Sequence, residues 1–416
     1  MKSFPARHCR MATTHFTPVK VQGTTYAVLF AVTAGHLIND TLQALLLSIY
    51  PLLRDLHNLS FAQVGFITLA FQATASVLQP LIGHYTDKKP FPYSLPVAPA
   101  LSLIGLVVVG LAHSYGMILV GATLIGLGSS IFHPEASRLA RLSSGGRFGF
   151  AQSLFQVGGN LGTSIGPLLA AFFVVPHGQG SVAWLALLAL FSIAVLSYAA
   201  KWYAHHLSPK GGPKRAHVIP PNPLPQRIIV TSLVVLLCLM FSKFLYTSSM
   251  SSFYTFDLIG SFGLSPKEAQ IDLFIYLAAF AAGTLLGGPI GDRIGRKAVI
   301  WFSVLGALPF TLALPYANHF WTVVLSIPIG FILASAFSAM LVYAQELMPG
   351  RVGMISGLFF GVAFGIAAAG AALLGMVADA TSIGFVFHIC SFLPAFGLLA
   401  MFLPSRRQLA AAEAAG

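Results

Sequence analysis

The sequence predicts an all-α membrane protein in which twelve transmembrane helices form two pseudosymmetric six-helix halves. Of its 416 residues, 56% are hydrophobic and only 8% are charged, whereas ordinary soluble domains are about 25% charged. A spanning helix needs about 20 mostly apolar residues, and the chain breaks into about twelve such runs between short polar segments. Sequence features also recur about half a chain apart, which indicates a duplicated architecture.

The apolar runs divide the chain into five parts. They begin near Tyr26, Phe61, Leu95, Tyr115, Phe148, Val182, Ile228, Ile271, Ala298, Phe320, Met354 and Ile383. We therefore predict an N-terminal tail over 1–23, a first half over 24–204, a linker over 205–226, a second half over 227–405 and a C-terminal tail over 406–416. The linker is rich in proline, glycine and basic residues, a composition typical of connecting segments.

A short charged turn is present in both halves. Residues 288–297 read GPIGDRIGRK between two apolar runs, and residues 83–88 read GHYTDK in the same setting, which puts Asp87 and Asp292 205 positions apart. Glycine and arginine also recur at residues 146–149 and 350–353, an offset of 204. Because the pattern is duplicated, we interpret it as a conformational latch and not as a plain solvated loop. The predicted latch residues are Gly83, Asp87, Lys88, Gly288, Asp292, Arg293 and Arg296.

The net charge of +12 is explained by orientation in a membrane and not by nucleic-acid binding. Nearly all lysines and arginines fall in alternate loops, as the positive-inside rule requires, so both termini are predicted to be cytoplasmic. The tail over 1–23 lacks the short apolar core of a cleaved signal peptide. Cys9, Cys238 and Cys390 are too few and scattered for a disulfide framework. The linker histidines have no acidic or cysteine neighbour, so no metal site is predicted.

The first apolar run contains polar residues that need a reason to be there. His36 and Asp40 are four residues apart and therefore share one face of a helix, with Asn39 and Gln43 nearby. An acid at the centre of a spanning helix costs about 2.5 to 3.5 kcal/mol on insertion scales and usually faces a partner or a water-filled cavity. Two interpretations stay open: a buried pair that only fixes packing, or a part of the transport pathway.

The fourth run ends in a second polar group. Residues 128–138 read GSSIFHPEASR, in which Glu135 and Arg138 are three positions apart and can pair on a helix. That pairing is one interpretation of Glu135. The other is a protonation or gating role for His133 and Glu135.

The fifth run carries a stripe of glycines at helical spacing, Gly158, Gly162 and Gly166, followed by Pro167. Such a stripe allows a neighbouring backbone to approach closely. The eleventh run repeats it at residues 357, 361 and 365, and we read both stripes as helix-packing motifs.

The seventh run contains Lys243 in an otherwise apolar setting. Shifted by 203 residues, Lys243 aligns with Asp40, so the two halves carry opposite charges at similar depth. This arrangement favours a functional pair of sites, but a direct ion pair that joins the halves, or snorkelling of Lys243 to an interface, would also explain it. Glu346, near the end of the tenth run, is predicted to pair structurally with loop arginines.

No phosphate-binding loop or zinc-binding helix motif is present, so the chain is not expected to be an enzyme. Two six-helix halves joined by a linker are typical of transporters that rock around a midplane site. Residues 288–297 closely match the loop signature of the major facilitator superfamily, and the resemblance covers residues 24–405. The first copy departs from that signature with Pro90 and Phe91. Residues 162–167 resemble the fifth-helix motif of antiporters, although Ala170 and Ala171 replace its later glycines.

Within that superfamily, residues 35–40, 128–135 and 241–244 resemble the fosmidomycin-resistance efflux proteins. The resemblance implies a proton-coupled exporter of the bacterial inner membrane, with a small anionic phosphonate as one cargo. Asp40 supported by His36 is then the first choice for the proton carrier, and His133 with Glu135 the second. The predicted substrate-binding residues are Lys243, Asn39, Gln43, Gln156, Asn160, Tyr246 and Tyr254.

We therefore expect an inner-membrane antiporter that exchanges a small, anionic drug or metabolite for protons. No cofactor other than the coupling proton is predicted, and the expected partners are the cargo and the lipid bilayer around a monomer. An uptake transporter for an organic anion, or a membrane sensor that no longer transports, is the alternative.

Overall fold

The computed structural model describes residues 23–59, 61–207 and 224–404, and these ranges contain helices but no strands. The predicted tails and most of the predicted linker lie outside the described residues.

The first half contains the helices that carry the polar residues of the first and fourth apolar runs. Its helices are α1 (Tyr26–Ser48), α2 (Tyr50–His57), α3 (Phe61–Lys88), α4 (Ser94–Gly110), α5 (Tyr115–Ser143), α6 (Phe148–Leu169), α7 (Val175–His177), α8 (Val182–Leu185) and α9 (Leu187–Leu207). The second half comprises α10 (Gln226–Phe262), α11 (Pro266–Ile294), α12 (Arg296–Leu305), α13 (Leu308–Ala313), α14 (His319–Ala334), α15 (Ala336–Leu347), α16 (Val352–Ala380) and α17 (Ile383–Cys390).

These helices supply the twelve predicted spans. Ten segments of the described chain are long and apolar enough to cross a membrane, and α1 and the apolar 17-residue α4 supply the other two. The ninth and tenth spans are each built from two consecutive helices, and the last continues from α17 into the 3₁₀ segment Leu393–Phe402. All twelve predicted starts lie within about five residues of the helix starts, so the prediction of spans is confirmed.

The glycine stripe of α6 lies against α1. A Cβ atom added at Gly158 or Gly162 would collide with the backbone carbonyl of Thr33 or Leu37. The short side chain therefore lets the two backbones touch. This contact sets the position of the polar face of α1 relative to α6.

The two halves meet at the end of the bundle that carries Lys88 and Arg293, which we call the basic end. There α3 packs against α16, and α6 against α11. A Cβ atom added at Gly357 or Gly361 would collide with the backbone of α3, and one added at Gly353 would collide with the side chain of Arg138. One added at Gly365, farther from the basic end, would meet nothing within 4 Å. The halves are therefore closed against each other at the basic end and separate with distance from it.

Candidate functional site

The first charged centre is formed by Asp40 and two histidines, which we call the acid–histidine cluster. Asp40 on α1 is 8% exposed, and both histidines are fully buried. His36 Nε2 lies 3.3 Å from Asp40 Oδ2, one helical turn away. His133 on α5 reaches the other oxygen, with Nε2 3.5 Å from Asp40 Oδ1.

Backbone carbonyls orient both imidazole rings. His36 Nδ1 lies 2.7 Å from the carbonyl oxygen of Phe155 on α6, and His133 Nδ1 lies 3.0 Å from that of Ser129. A carbonyl oxygen only accepts hydrogen bonds, so each Nδ1 must carry the hydrogen. The Nε2 atoms of both rings are therefore the ones that face Asp40.

Neighbouring side chains on α1 complete the surroundings of the carboxylate. Asn39 Nδ2 donates to Asp40 Oδ1 at 3.0 Å and Gln43 Nε2 donates to the same oxygen at 3.2 Å. Gly159 of α6 leaves room for the cluster, because a Cβ there would collide with the His36 ring and lie 2.8 Å from Asp40 Oδ2. Asn39 and Gln43, predicted as substrate-binding residues, thus hold the acid.

The same cluster is the one group of described His, Cys, Asp and Glu side chains close enough to share a metal ion, with candidate atoms within 4.8 Å of one another. The two imidazoles, however, approach different oxygens of Asp40. Oδ1 already accepts two amide hydrogen bonds. This arrangement suits two separate hydrogen bonds better than one shared centre.

The second charged centre is Lys243 on α10, which is only 2% exposed. Its Nζ atom lies 4.7 Å from the ring centre of Phe244, 5.6 Å from that of Phe280 and 5.3 Å from that of Phe337. Among the described residues no carboxylate lies within ion-pair distance of Lys243, so the direct pair with Asp40 is not formed. Aromatic faces stabilise the ammonium partly but leave it without a counter-charge.

An aromatic bridge, Phe360 and Phe337, lies between the two centres. The ring centre of Phe360 on α16 is 6.1 Å from His36 and 4.9 Å from His133. On its other side it is 5.2 Å from Phe337, which contacts Lys243. Sequence reasoning missed both residues, because a phenylalanine in an apolar run carries no signal of which helix it will face.

The other predicted substrate-binding residues are dispersed. Asn160 Nδ2 donates to Thr284 Oγ1 of the opposite half at 3.2 Å, and Gln156 is half-buried with Oε1 unpartnered. Tyr246 is buried one turn from Lys243 with an unpartnered hydroxyl. Tyr254 lies eleven residues beyond Lys243, about 16 Å along α10, so it does not share the site of Lys243.

At the basic end Asp87 holds the two halves together. Its carboxylate accepts hydrogen bonds from the backbone N–H groups of Gly353 at 2.9 Å and Met354 at 2.8 Å, so it caps the start of α16 from another helix. Asp87 also forms a 2.6 Å ion pair with Arg138, whose other terminal nitrogen lies 2.6 Å from Glu135. Glu135 therefore belongs to this network and not to the acid–histidine cluster.

Asp292 makes the equivalent contact in the second half. It accepts hydrogen bonds from the N–H groups of Gly149 at 3.0 Å and Phe150 at 2.9 Å and so caps the start of α6. Arg296 lies 2.6 Å from Asp292 and 3.4 Å from Glu346, so the predicted pairing of Glu346 is present.

Two predicted latch residues lie elsewhere. Lys88 and Arg293 are exposed, and neither forms an ion pair within the described chain. They end their helices where the side chains extend into solvent. The cations beside the aspartates are Arg138, which was not among the predicted latch residues, and Arg296, which was.

Two polar contacts that the sequence analysis did not identify join the halves beside these latches. Arg141 Nη1 donates to Gln345 Oε1 at 3.2 Å, and Ser356 Oγ donates to Ser137 Oγ at 3.0 Å. Arg141 and Gln345 are 204 positions apart, which is the repeat offset itself. Two residues that are related by the repeat offset and also touch must lie near the pseudo-twofold axis. The repeat in the sequence could therefore have indicated this contact.

An open cavity of about 490 Å³ lies beside the second latch. Arg296 in its wall is already paired with Asp292 and Glu346. Lys243, in contrast, is buried and has no carboxylate within ion-pair distance among the described residues, and we therefore place the candidate binding site there.

Comparison with known proteins decides the family. The model of the Major Facilitator Superfamily matches residues 32–258 and 235–415. The chain belongs to the major facilitator superfamily. This membership and the helical architecture confirm the predicted fold.

Two relatives of this superfamily member match over nearly their full length. The chain is 56% identical to the fosmidomycin resistance protein of Escherichia coli (strain K12), covering 92% of this chain and 94% of that protein. It is 40% identical to an uncharacterized MFS-type transporter, YfnC, of Bacillus subtilis (strain 168), covering 94% and 96%.

Solved structures of the superfamily share the fold. The transporter FucP in its outward conformation aligns with a TM-score of 0.70 at 15% identity, covering 91% of this chain and 98% of that one. The human organic anion transporter MFSD10 aligns with a TM-score of 0.70 at 16% identity, covering 92% and 100%. Within this fold the charged turn occurs twice, at Asp87 and Asp292.

Proposed function

We propose that the protein is an inner-membrane antiporter that exports a small organic anion in exchange for protons. The observation that carries this proposal is the separation of two buried charged centres: the acid–histidine cluster in one half, and an unpaired lysine in the other.

The lysine favours an anionic cargo. Burying an ammonium without a partner is costly, and a bound anion would offset that cost by supplying the missing charge. The relative from E. coli is described as a fosmidomycin resistance protein, so fosmidomycin is the cargo we would test first. Arg138 and Arg296 are already paired, which leaves Lys243 as the preferred contact.

The cluster favours proton coupling. Asp40 is buried between two imidazoles whose free nitrogens face it, so small movements of α1 and α5 change the proton affinity of the group. In the proposed cycle, protons from outside load the cluster. Their release to the cytoplasm accompanies the loading of cargo at Lys243.

The latches favour alternating access. Asp87 and Asp292 hold the halves closed at the basic end, which the positive-inside rule assigns to the cytoplasm. Opening that end requires both capping interactions to break and the halves to rock apart. In this view both termini lie in the cytoplasm.

Transport in proteoliposomes tests the proposal. An imposed pH gradient should drive accumulation of labelled fosmidomycin by the wild-type protein. Asp40→Asn should lose that accumulation yet retain exchange of labelled for unlabelled fosmidomycin, which shows that the variant is folded. Accumulation by Asp40→Asn against a cargo gradient would refute the assignment of Asp40. Failure of the wild type to respond to pH at all would refute proton coupling. Antiport predicts that fosmidomycin accumulates on the side of higher proton concentration, and accumulation on the side of lower proton concentration would indicate symport.

A further inference from the structure

The acid–histidine cluster has more proton acceptors than one proton can satisfy. Because both Nδ1 atoms donate to backbone carbonyls, a neutral imidazole at either position presents only the lone pair of Nε2. Asp40 presents a carboxylate oxygen to each of them, at 3.3 Å and 3.5 Å. Without protons, lone pairs oppose one another at both contacts.

Each contact becomes attractive only when a proton lies on it. One proton, on the acid or on one imidazole, satisfies one of the two contacts and leaves the other repulsive. The buried Nε2 atoms of His36 and His133 have no hydrogen-bond partner that would compensate, and unmet polar groups are costly in a buried site.

We propose that the cluster binds two protons, one on each contact between Asp40 and a histidine, when the basic end is closed, and releases both when that end opens. This inference rests on the proposed function and specifies its stoichiometry. The net charge of the cluster then changes from −1 without protons to +1 with two. The carbonyls of Phe155 and Ser129 act as positioning groups, since they commit the Nδ1 atoms and leave Nε2 for exchange.

The described side chains packed around the cluster supply no cation to compensate the negative charge of Asp40, so the two protons are the main source of that compensation. Besides its own histidine, α1 contributes only the amides of Asn39 and Gln43 to Asp40. The facing helix α6 contributes Phe155 and Gly159, and α16 contributes Phe360 and Phe364. On α5, the charged Glu135 and Arg138 pair with each other and with Asp87. No other charged side chain of the described chain forms an ion pair with the cluster.

The position of His133 connects proton binding to the closed state. The same helix α5 carries Arg138, which pairs with Asp87 at the basic end. Loss of the proton between Asp40 and His133 would make the contact of α1 with α5 repulsive and so favour a movement of the helix that carries Arg138. Proton binding and closure at the basic end would then stabilise each other.

The number of protons exchanged for each cargo molecule can be measured from the zero-flux point, which is the pH difference at which net cargo transport stops. Wild-type protein is reconstituted with fosmidomycin gradients at a membrane potential held at zero, and the pH difference that stops net cargo movement is measured. A pH difference of one unit and a tenfold concentration gradient have equal free energy. If the cluster exchanges two protons for each cargo molecule, a tenfold cargo gradient should therefore be balanced by a pH difference of about 0.5. If it exchanges one proton, the balancing pH difference should be about 1. The orientation of the protein in the membrane does not affect this point.

The variant H133Q isolates the second proton. Glutamine can donate a hydrogen bond toward Asp40 but cannot exchange a proton, so the stoichiometry should fall by one. The ionisation of fosmidomycin contributes equally to both proteins, so the shift between them reports on the cluster. H319Q is the matched control, because His319 pairs with Asp272 outside the cluster, and it should keep the wild-type zero-flux point.

The outcomes separate the two proposals. A zero-flux point that ignores pH in the wild type would refute proton coupling itself. A pH-dependent point that is the same in the wild type and H133Q would overturn the two-proton inference and leave the proposed function standing. If H133Q does not transport, a difference titration of the purified proteins should show one fewer proton bound, and equal binding overturns the inference. Assays contain EDTA; a requirement for added Zn²⁺ would mean that a metal fills the cluster, which also overturns it.

Discussion

Asp87 and Arg138 form a buried ion pair of 2.6 Å that joins α3 to α5. Arg138 thus supplies Asp87 with the cation that the exposed Lys88 of the same turn does not supply. In the second copy the cation is Arg296, four residues beyond Asp292. At the corresponding place in the first copy the chain has Phe91. The departure from the superfamily signature is therefore compensated by a neighbouring helix.

Replacing Asp87 by asparagine should weaken closure at the basic end. Breaking a buried ion pair costs about 3 to 5 kcal/mol, and the cap on α16 loses its charge as well. We expect slower transport and a larger population open at the basic end, with fosmidomycin affinity nearly unchanged. Distances between spin labels at the basic ends of α3 and α16, measured with binding, test this.

Lys88→Gln is the matched control for Asp87→Asn, because Lys88 is exposed on the same turn and forms no ion pair among the described residues. It should leave the spin-label distances unchanged. Loss of affinity in Asp87→Asn with an unaltered distance distribution would contradict the latch assignment.

Gly357 and Gly365 on α16 offer a test of helix contact. A Cβ at Gly357 would collide with the backbone of Gln79, whereas one at Gly365 meets nothing within 4 Å. Gly357→Ala should therefore push α3 and α16 apart and reduce transport strongly. Gly365→Ala should be tolerated, since alanine favours a helix over glycine by about 1 kcal/mol. Equal transport by the two variants would show that close contact of these helices is not needed.

Lys243→Met should weaken fosmidomycin binding by more than about tenfold, because losing a desolvated charge partner costs about 2 to 5 kcal/mol. Lys243→Arg keeps the charge and should retain part of the affinity. Equilibrium binding to purified protein measures both. Unchanged affinity in Lys243→Met would exclude the contact with the cargo.

Phe360→Ala should uncouple the two centres, because its ring lies between the histidines and Phe337. Water could then enter the gap, and we expect proton leak without cargo, together with a loss of stability of about 3 to 5 kcal/mol. A pH-sensitive dye inside proteoliposomes measures the leak. Phe402→Ala, at an exposed ring, is the control; equally tight vesicles for both variants would argue against a barrier role of Phe360.

The sequence by itself determined the spans, the duplication and the polar positions within single helices. Apolar runs of fixed length reveal a membrane helix, and the spacing of His36 and Asp40 reveals a shared face because the helical period is local. The repeat offset matched Asp87 with Asp292 and Asp40 with Lys243. Each of these inferences needs only the chain and the geometry of one helix.

Only the tertiary structure decided which helices meet. His133 reaches Asp40 from 93 positions away, Arg138 replaces Lys88 as the partner of Asp87, and Phe360 crosses from the second half to both histidines. Contacts between helices depend on the crossing and rotation of packed surfaces, here set by glycines that let the backbones touch. No periodicity within one helix encodes that arrangement, so the composition of the two charged centres emerged only when the halves were packed together.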